Sequence, residues 1–317
     1  MARRPAIRAL APAHLAAVAL YGATLTIAIS SVLVRRSYSL GGTPEAVIVF
    51  RTGVPAVLLG ALVAVDVVRR RVRAHLSRGI VLRLLALAGC LLGGSMGELH
   101  SLARLQTPIA ILFFAVAPLW IAVISRLLYG TRLGRRRAVA LVVSLVGVVI
   151  VVGIPSGGVD PLGCLFAAGG GLSASGSFLL LEGKLSQVPL RLVWAVALGL
   201  VALTCLALHP SAPREVGRSG SLLRDVLAAG VLAGLAQLLA TVGVRAVGAV
   251  VAGIATALEP VNAAIVAWIV LGETVGIAAM VGGIVALAGV LLAFTAGPPT
   301  RAAAPVLEPY ASGATTG

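Results

Sequence analysis

Residues 258–292 read LEPVNAAIVAWIVLGETVGIAAMVGGIVALAGVLL, and key residues of this stretch recur 142 positions earlier. Pro118 matches Pro260, Gly130 matches Gly272, Gly134 matches Gly276, Leu145 matches Leu287, Gly147 matches Gly289 and Val148 matches Val290. One offset serving all six pairs marks an internal repeat. Both copies are apolar enough to decide the solvent as well. A run such as Ala249 to Leu271 lacks the alternation of a lipid-facing β-strand and is long enough for a membrane-spanning helix.

The same reading extends over the chain. Apolar runs bounded by Gly, Pro and Arg clusters lie at Leu15 to Val34, Pro44 to Val67, Leu84 to Ala103, Pro108 to Ser125 and Ala138 to Ile154. Five more lie at Pro161 to Leu181, Leu192 to Leu208, Val226 to Val244, Ala249 to Leu271 and Val275 to Ala296. Thr43, Thr107 and Asp160 each precede a proline, the pairing expected of a helix N-cap and first helical position. With 59% hydrophobic and 11% charged residues and a mean hydropathy of +1.08, the 317-residue chain departs from the soluble norm of about 25% charged.

Five spans per copy is an odd number, so the second copy enters the membrane in the opposite sense. The sequence therefore predicts an all-α integral membrane protein, with ten transmembrane helices arranged as two inverted-topology five-helix repeats. The predicted parts are a basic cytoplasmic N-terminus at 1–13, the repeats at 14–154 and 160–296, and a disordered cytoplasmic tail at 297–317.

The net charge of +15 would suggest nucleic acid in a soluble protein. Placed on ten spans with the N-terminus inside, eighteen basic residues fall on inner segments, six on outer ones, and Arg51 lies within a span. That bias predicts both termini in the cytoplasm and assigns the Arg69 to Arg83 run to topology and anionic lipid, with no nucleic-acid partner. Cys90, Cys164 and Cys205 sit in apolar runs without metal-ligand spacing, so neither a metal nor another cofactor is expected.

The stretch from Leu258 to Leu292, with TPIAILFFAVAPLWIAVISRLLYGTRL and SLVGVVIVVG in the first half, resembles the EamA family of the drug/metabolite transporter (DMT) superfamily. The resemblance covers about Leu15 to Ala296. It implies a ten-helix bundle moving small organic metabolites, mostly outward, across a bacterial inner membrane. Where the family pattern has Glu after the glycine of the first repeat this chain has Thr131, whereas Glu273 keeps that repeat-end motif in the second.

An ionised side chain at a helix centre costs about 2.5–3.5 kcal/mol on insertion scales, so each needs a partner or a task. Arg51 and Glu98 both fall roughly 10 Å below the outer surface on consecutive helices, at 1.5 Å per residue, and are expected to pair. Glu259 lies mid-span before Pro260, which is expected to kink the helix and free the carbonyl of Thr256. Glu259 is a candidate proton site, with satisfaction by backbone or Asn262 as the alternative. Pro118 is expected to make the equivalent kink, freeing the carbonyl of Phe114.

Trp120, Gln237 and Asn262 are further candidates for the substrate pathway, whereas Trp194 and Trp268 read as interfacial anchors. The Gly169, Gly170 and Gly171 cluster reads as helix packing. The equivalent Gly147 and Gly289 make the fifth and tenth helices candidate packing or homodimer faces. No phosphate-binding loop is present, so the expected function is secondary active transport of amino acids, related metabolites or drugs, with protons as a candidate energy source. The alternatives are an integral membrane enzyme, disfavoured by the scatter of the ten acids, and a channel or scaffold that does not alternate.

Overall fold

The computed structural model describes residues 4–69, 77–102, 104–105, 116–130, 133–152, 160–271 and 276–295. Among them the regular structure is helical. The first half holds α1 (Arg4–Ser39), α2 (Pro44–Val68), α3 (Arg78–Leu102), α4 (Ala117–Tyr129) and α5 (Arg135–Val152). The second holds α6 (Pro161–Glu182), a 3-10 turn at Lys184–Gln187, α7 (Leu190–Leu208), the short α8 (Ala212–Val216), α9 (Gly220–Val247), α10 (Ala249–Ala255), α11 (Leu258–Leu271) and α12 (Ile277–Thr295). Seven helical stretches among the described residues are long and apolar enough to cross a membrane.

Capping chemistry sets several helix starts. The hydroxyl of Thr43 accepts from Ala46 N–H at the head of α2, and Asp160 Oδ1 accepts from Leu162 N–H at the head of α6. Thr107, Phe114, Thr131 and Glu273 lie outside the described residues, as does the tail from 297. Several helices begin or end beyond the apolar runs that announce them, and two of these extensions meet. Helix α1 continues past Val34 through Arg36 to Ser39, and α9 starts at Gly220, six residues before Val226. The reason is mutual: Arg36 Nε lies 3.2 Å from a carboxylate oxygen of Asp225, whose side chain is 4% exposed, so charges that looked like loop residues neutralise one another on helices.

Side-chain bridges fix which helix ends lie together. At one end, besides Arg36 and Asp225, Thr43 donates to Glu215 at 2.7 Å and Arg104 stands 3.6 Å from Asp160. At the other, Arg191 meets Asp66 at 2.8 Å, Arg245 donates to the carbonyls of Leu185 and Val188, and Glu182 accepts from Ala249 N–H. The ends so joined make α1 antiparallel to α9 and α2 antiparallel to α7.

The offset of 142 read from the sequence is also an offset between helices. Shifted by that amount, the first residues of α3, α4 and α5 fall on or within one residue of the first residues of α9, α11 and α12. The main packings are α1 on α9, α3 on α6, α2 on α7 and α5 on α12. Glycines permit two of them. A methyl group on Gly97 of α3 would stand 2.5 Å from the Cα of Gly170 on α6, and one on Gly289 of α12 would stand 2.5 Å from the amide nitrogen of Ser144 on α5. The glycine face of α5 is therefore used within the chain, against α12, which removes it as a homodimer surface.

Candidate functional site

Arg51 and Glu98 meet, as their depths along consecutive helices predicted: Nη1 of Arg51 is 3.8 Å from Oε2 of Glu98. Arg51 lies seven residues into α2, while Glu98 is only four residues from the end of α3 at Leu102, nearer that end than expected. Both side chains are only partly buried, at 21% and 38% exposed, so the pair is a modest contributor to stability and stays within reach of solvent. A cavity of about 10 Å³ adjoins it, lined by Val34 and Tyr38 of α1, Pro44, Val47 and Ile48 of α2, and Ser95 of α3. That is room for about one water, so in this conformation the pair is closed to a metabolite.

Glu259 completes the cluster. Its carboxylate interacts electrostatically with Glu98 and with Arg51, and Tyr38 interacts with Glu98, Arg51 and Glu45. The site thus gathers one guanidinium and two carboxylates from α2, α3 and α11, with a phenol from α1. Tyr38 is absent from the sequence-derived candidates because it lies past the apolar run that ends at Val34, and no apolar periodicity announces that α1 continues through it.

The helix carrying Glu259 differs from expectation. A single helix from Ala249 to Leu271, kinked at Pro260, is replaced by α10 and α11 with a turn at Thr256 and Ala257 between them. Pro260 is the third residue of α11, where a missing N–H costs little. The carbonyl of Thr256 is not freed either, since it accepts from Glu259 N–H at 2.9 Å. Glu259 sits instead in the first turn of α11, where the positive end of the helix dipole faces it. Among the described residues no hydrogen bond reaches its carboxylate.

Asn262 does not satisfy that carboxylate. It is 3% exposed and its amide donates to the hydroxyl of Thr24 at 2.9 Å, tying α11 to α1. Pro118 occupies the first turn of α4 and kinks no described helix. The break between α10 and α11 lies near α4: a methyl group at Gly253 of α10 would stand 2.6 Å from Ile121 and 3.6 Å from Pro118. Trp120 and Gln237 are half-buried on α4 and α9, and among the described residues no bond or ion pair ties their side chains to the Arg51 cluster.

Trp194 corrects a second expectation. It is 1% exposed and donates its indole N–H to Thr241 at 2.9 Å, so it is a core residue joining α7 to α9 and no interfacial anchor. Trp268, at 57% exposed, keeps the reading of a side chain facing the surroundings.

Residues 161–295, α6 to α12, match the sequence pattern of the EamA-like transporter family. A solved crystal structure of a protein superposes with a TM-score of 0.71 at 20% identity, covering 88% of this chain and 96% of its own. Such identity carries the fold alone. No curated protein matches the sequence. Its apolar spans make the protein a multi-pass membrane protein, and its second half, residues 161–295, is similar to the EamA-like transporter family.

Proposed function

We propose that the protein is a secondary active transporter that exports small organic metabolites across a bacterial inner membrane, both termini cytoplasmic, by alternating access of two inverted five-helix repeats. The correspondence α1 with α6, α2 with α7, α3 with α9, α4 with α11 and α5 with α12 supports the repeats. Exchanging partners by that rule turns α1 on α9 into α6 on α3, and α1 on α11 into α6 on α4. The packings α2 on α7 and α5 on α12 map onto themselves. An interrupted helix, here α10 and α11, packed against the other half is the usual setting of a transporter's site.

Coupling is assigned to Glu259. One observation carries it: a carboxylate without a hydrogen-bonding partner among the described residues, in the first turn of an interrupted helix, within electrostatic range of Arg51 and Glu98. With both acids ionised the three groups sum to −1. One bound proton brings the cluster to neutrality, which makes proton exchange against substrate the simplest cycle. Alternating exposure follows if the partner of Arg51 changes between Glu98 and substrate.

The test begins with metabolite profiles inside and outside cells that carry or lack the protein. On the metabolite that changes, Glu259→Gln should lower proton-driven export at least tenfold. Export with its pH dependence intact in that variant would overturn the assignment.

A further inference from the structure

A larger cavity, of about 320 Å³, lies at the opposite end of the molecule from the Arg51 cluster. Val63 and Asp66 of α2, Leu190, Arg191 and Leu192 of α7, and Leu238 of α9 line it. Its volume falls in the range of small-ligand sites. The depths of these residues differ in a telling way. Asp66 is two residues from the end of α2 and Arg191 is the second residue of α7, so both stand at the ends of their spans. Leu238 is nine residues from the end of α9 at Val247, about 14 Å in from that end at 1.5 Å per residue, and so deeper than the ion pair. Charge therefore sits at the mouth and aliphatic wall below it.

The charged mouth is only half used by the protein. Arg191 Nη1 donates to Asp66 Oδ2 at 2.8 Å, while the other carboxylate oxygen and the remaining guanidinium N–H groups have no partner among the described residues. Arg191 is 52% exposed. The pair thus offers one acceptor and several donors side by side with no net charge. Nearby on the same helices Leu62 and Leu235 are exposed, so the cleft opens among apolar side chains.

We propose that this cleft binds a phospholipid with a zwitterionic primary-ammonium headgroup, its ammonium on Asp66, its phosphate on Arg191 and an acyl chain along Val63, Leu192 and Leu238. The charge pattern selects that occupant. A choline headgroup has no N–H to donate to Asp66, and a glycerol headgroup carries no cation. Because α2 and α7 belong to different halves, the lipid bridges the halves at this end. The proposal rests on the membrane-spanning reading and is independent of transport.

Native mass spectrometry of the full chain in detergent tests it, with phosphatidylethanolamine, phosphatidylcholine and phosphatidylglycerol of identical chains as probes. The expected result is preferential retention of phosphatidylethanolamine, lowered at least fivefold by Asp66→Asn with phosphatidylglycerol retention unchanged. If that variant does not fold, Leu238→Trp, which fills the apolar depth and leaves the ion pair intact, should give the same loss. Equal retention of the ethanolamine and choline lipids, or retention unaffected by a folded variant, would overturn the proposal. So would competition by soluble glycerophosphoethanolamine as strong as that of the lipid, which would make the cleft a site for an aqueous zwitterion.

Discussion

Gly147 of α5 and Gly289 of α12, 142 residues apart, face each other's helices in equivalent ways. A methyl group on Gly147 would collide with the backbone of Ala286 and the carbonyl of Gly282, and one on Gly289 with the backbone of Ser144 and the carbonyl of Ala140. Adding 142 to Ser144 and Ala140 gives Ala286 and Gly282, so each contact is the image of the other. The offset of 142 seen in the sequence thus also relates these two packing contacts of α5 and α12.

Alanine at either position should destabilise the protein equally. The added methyl meets backbone, which cannot rotate away, so each variant should lose about 1–3 kcal/mol. Gly169→Ala, inside α6 and with a methyl group that would meet nothing within 4 Å, should not destabilise and should gain up to about 1 kcal/mol from helix propensity. Thermal unfolding in detergent measures all three.

Trp194 gives a second stability test. If its indole joins α7 to α9 through Thr241, Trp194→Phe should cost about 1 kcal/mol for the lost hydrogen bond. Trp194→Ala should cost about 3–5 kcal/mol for the cavity. An interfacial anchor would give a small effect for both. Chemical or thermal unfolding of the two variants separates the cases.

Glu215 predicts a pH effect outside the spans. Hydrogen bonds from Ser211 and Thr43 hold its carboxyl below the usual carboxylate range. A carboxyl whose folded value is depressed stabilises the fold at neutral pH and loses that contribution as pH falls through the folded value. The link between α8 and the head of α2 should therefore loosen under acid. Hydrogen exchange over 211–218 should rise as pH is lowered, after correction for intrinsic rates, and Ser211→Ala should move that rise to higher pH.

Much of the fold was legible because its determinants are local or periodic. The apolar runs, the caps at Thr43 and Asp160, and the shared offset of Gly147 and Gly289 each state a constraint within one segment or between two copies. The pairing of Arg51 with Glu98 followed from depth alone, since a membrane leaves few places for charge.

What escaped the sequence depends on partners distant in the chain. Asp225 became visible as a buried residue only once Arg36 was seen beside it. Trp194 looked like an anchor from its place near a span end, but a partner on α9 decides its role. The break before Pro260 reads in the sequence as a kink because proline marks a disturbance without saying whether the helix resumes at once. Here it closes with a turn at Thr256, which moves Glu259 from the middle of a helix to its first turn.

Counterflow in proteoliposomes, using the metabolite identified by profiling, tests the central claim most directly. An alternating-access carrier predicts saturable exchange: labelled substrate outside accumulates transiently against unlabelled substrate inside, and Glu259→Gln loses proton-driven uptake. Flux that does not saturate and shows no exchange would contradict the account and identify a channel.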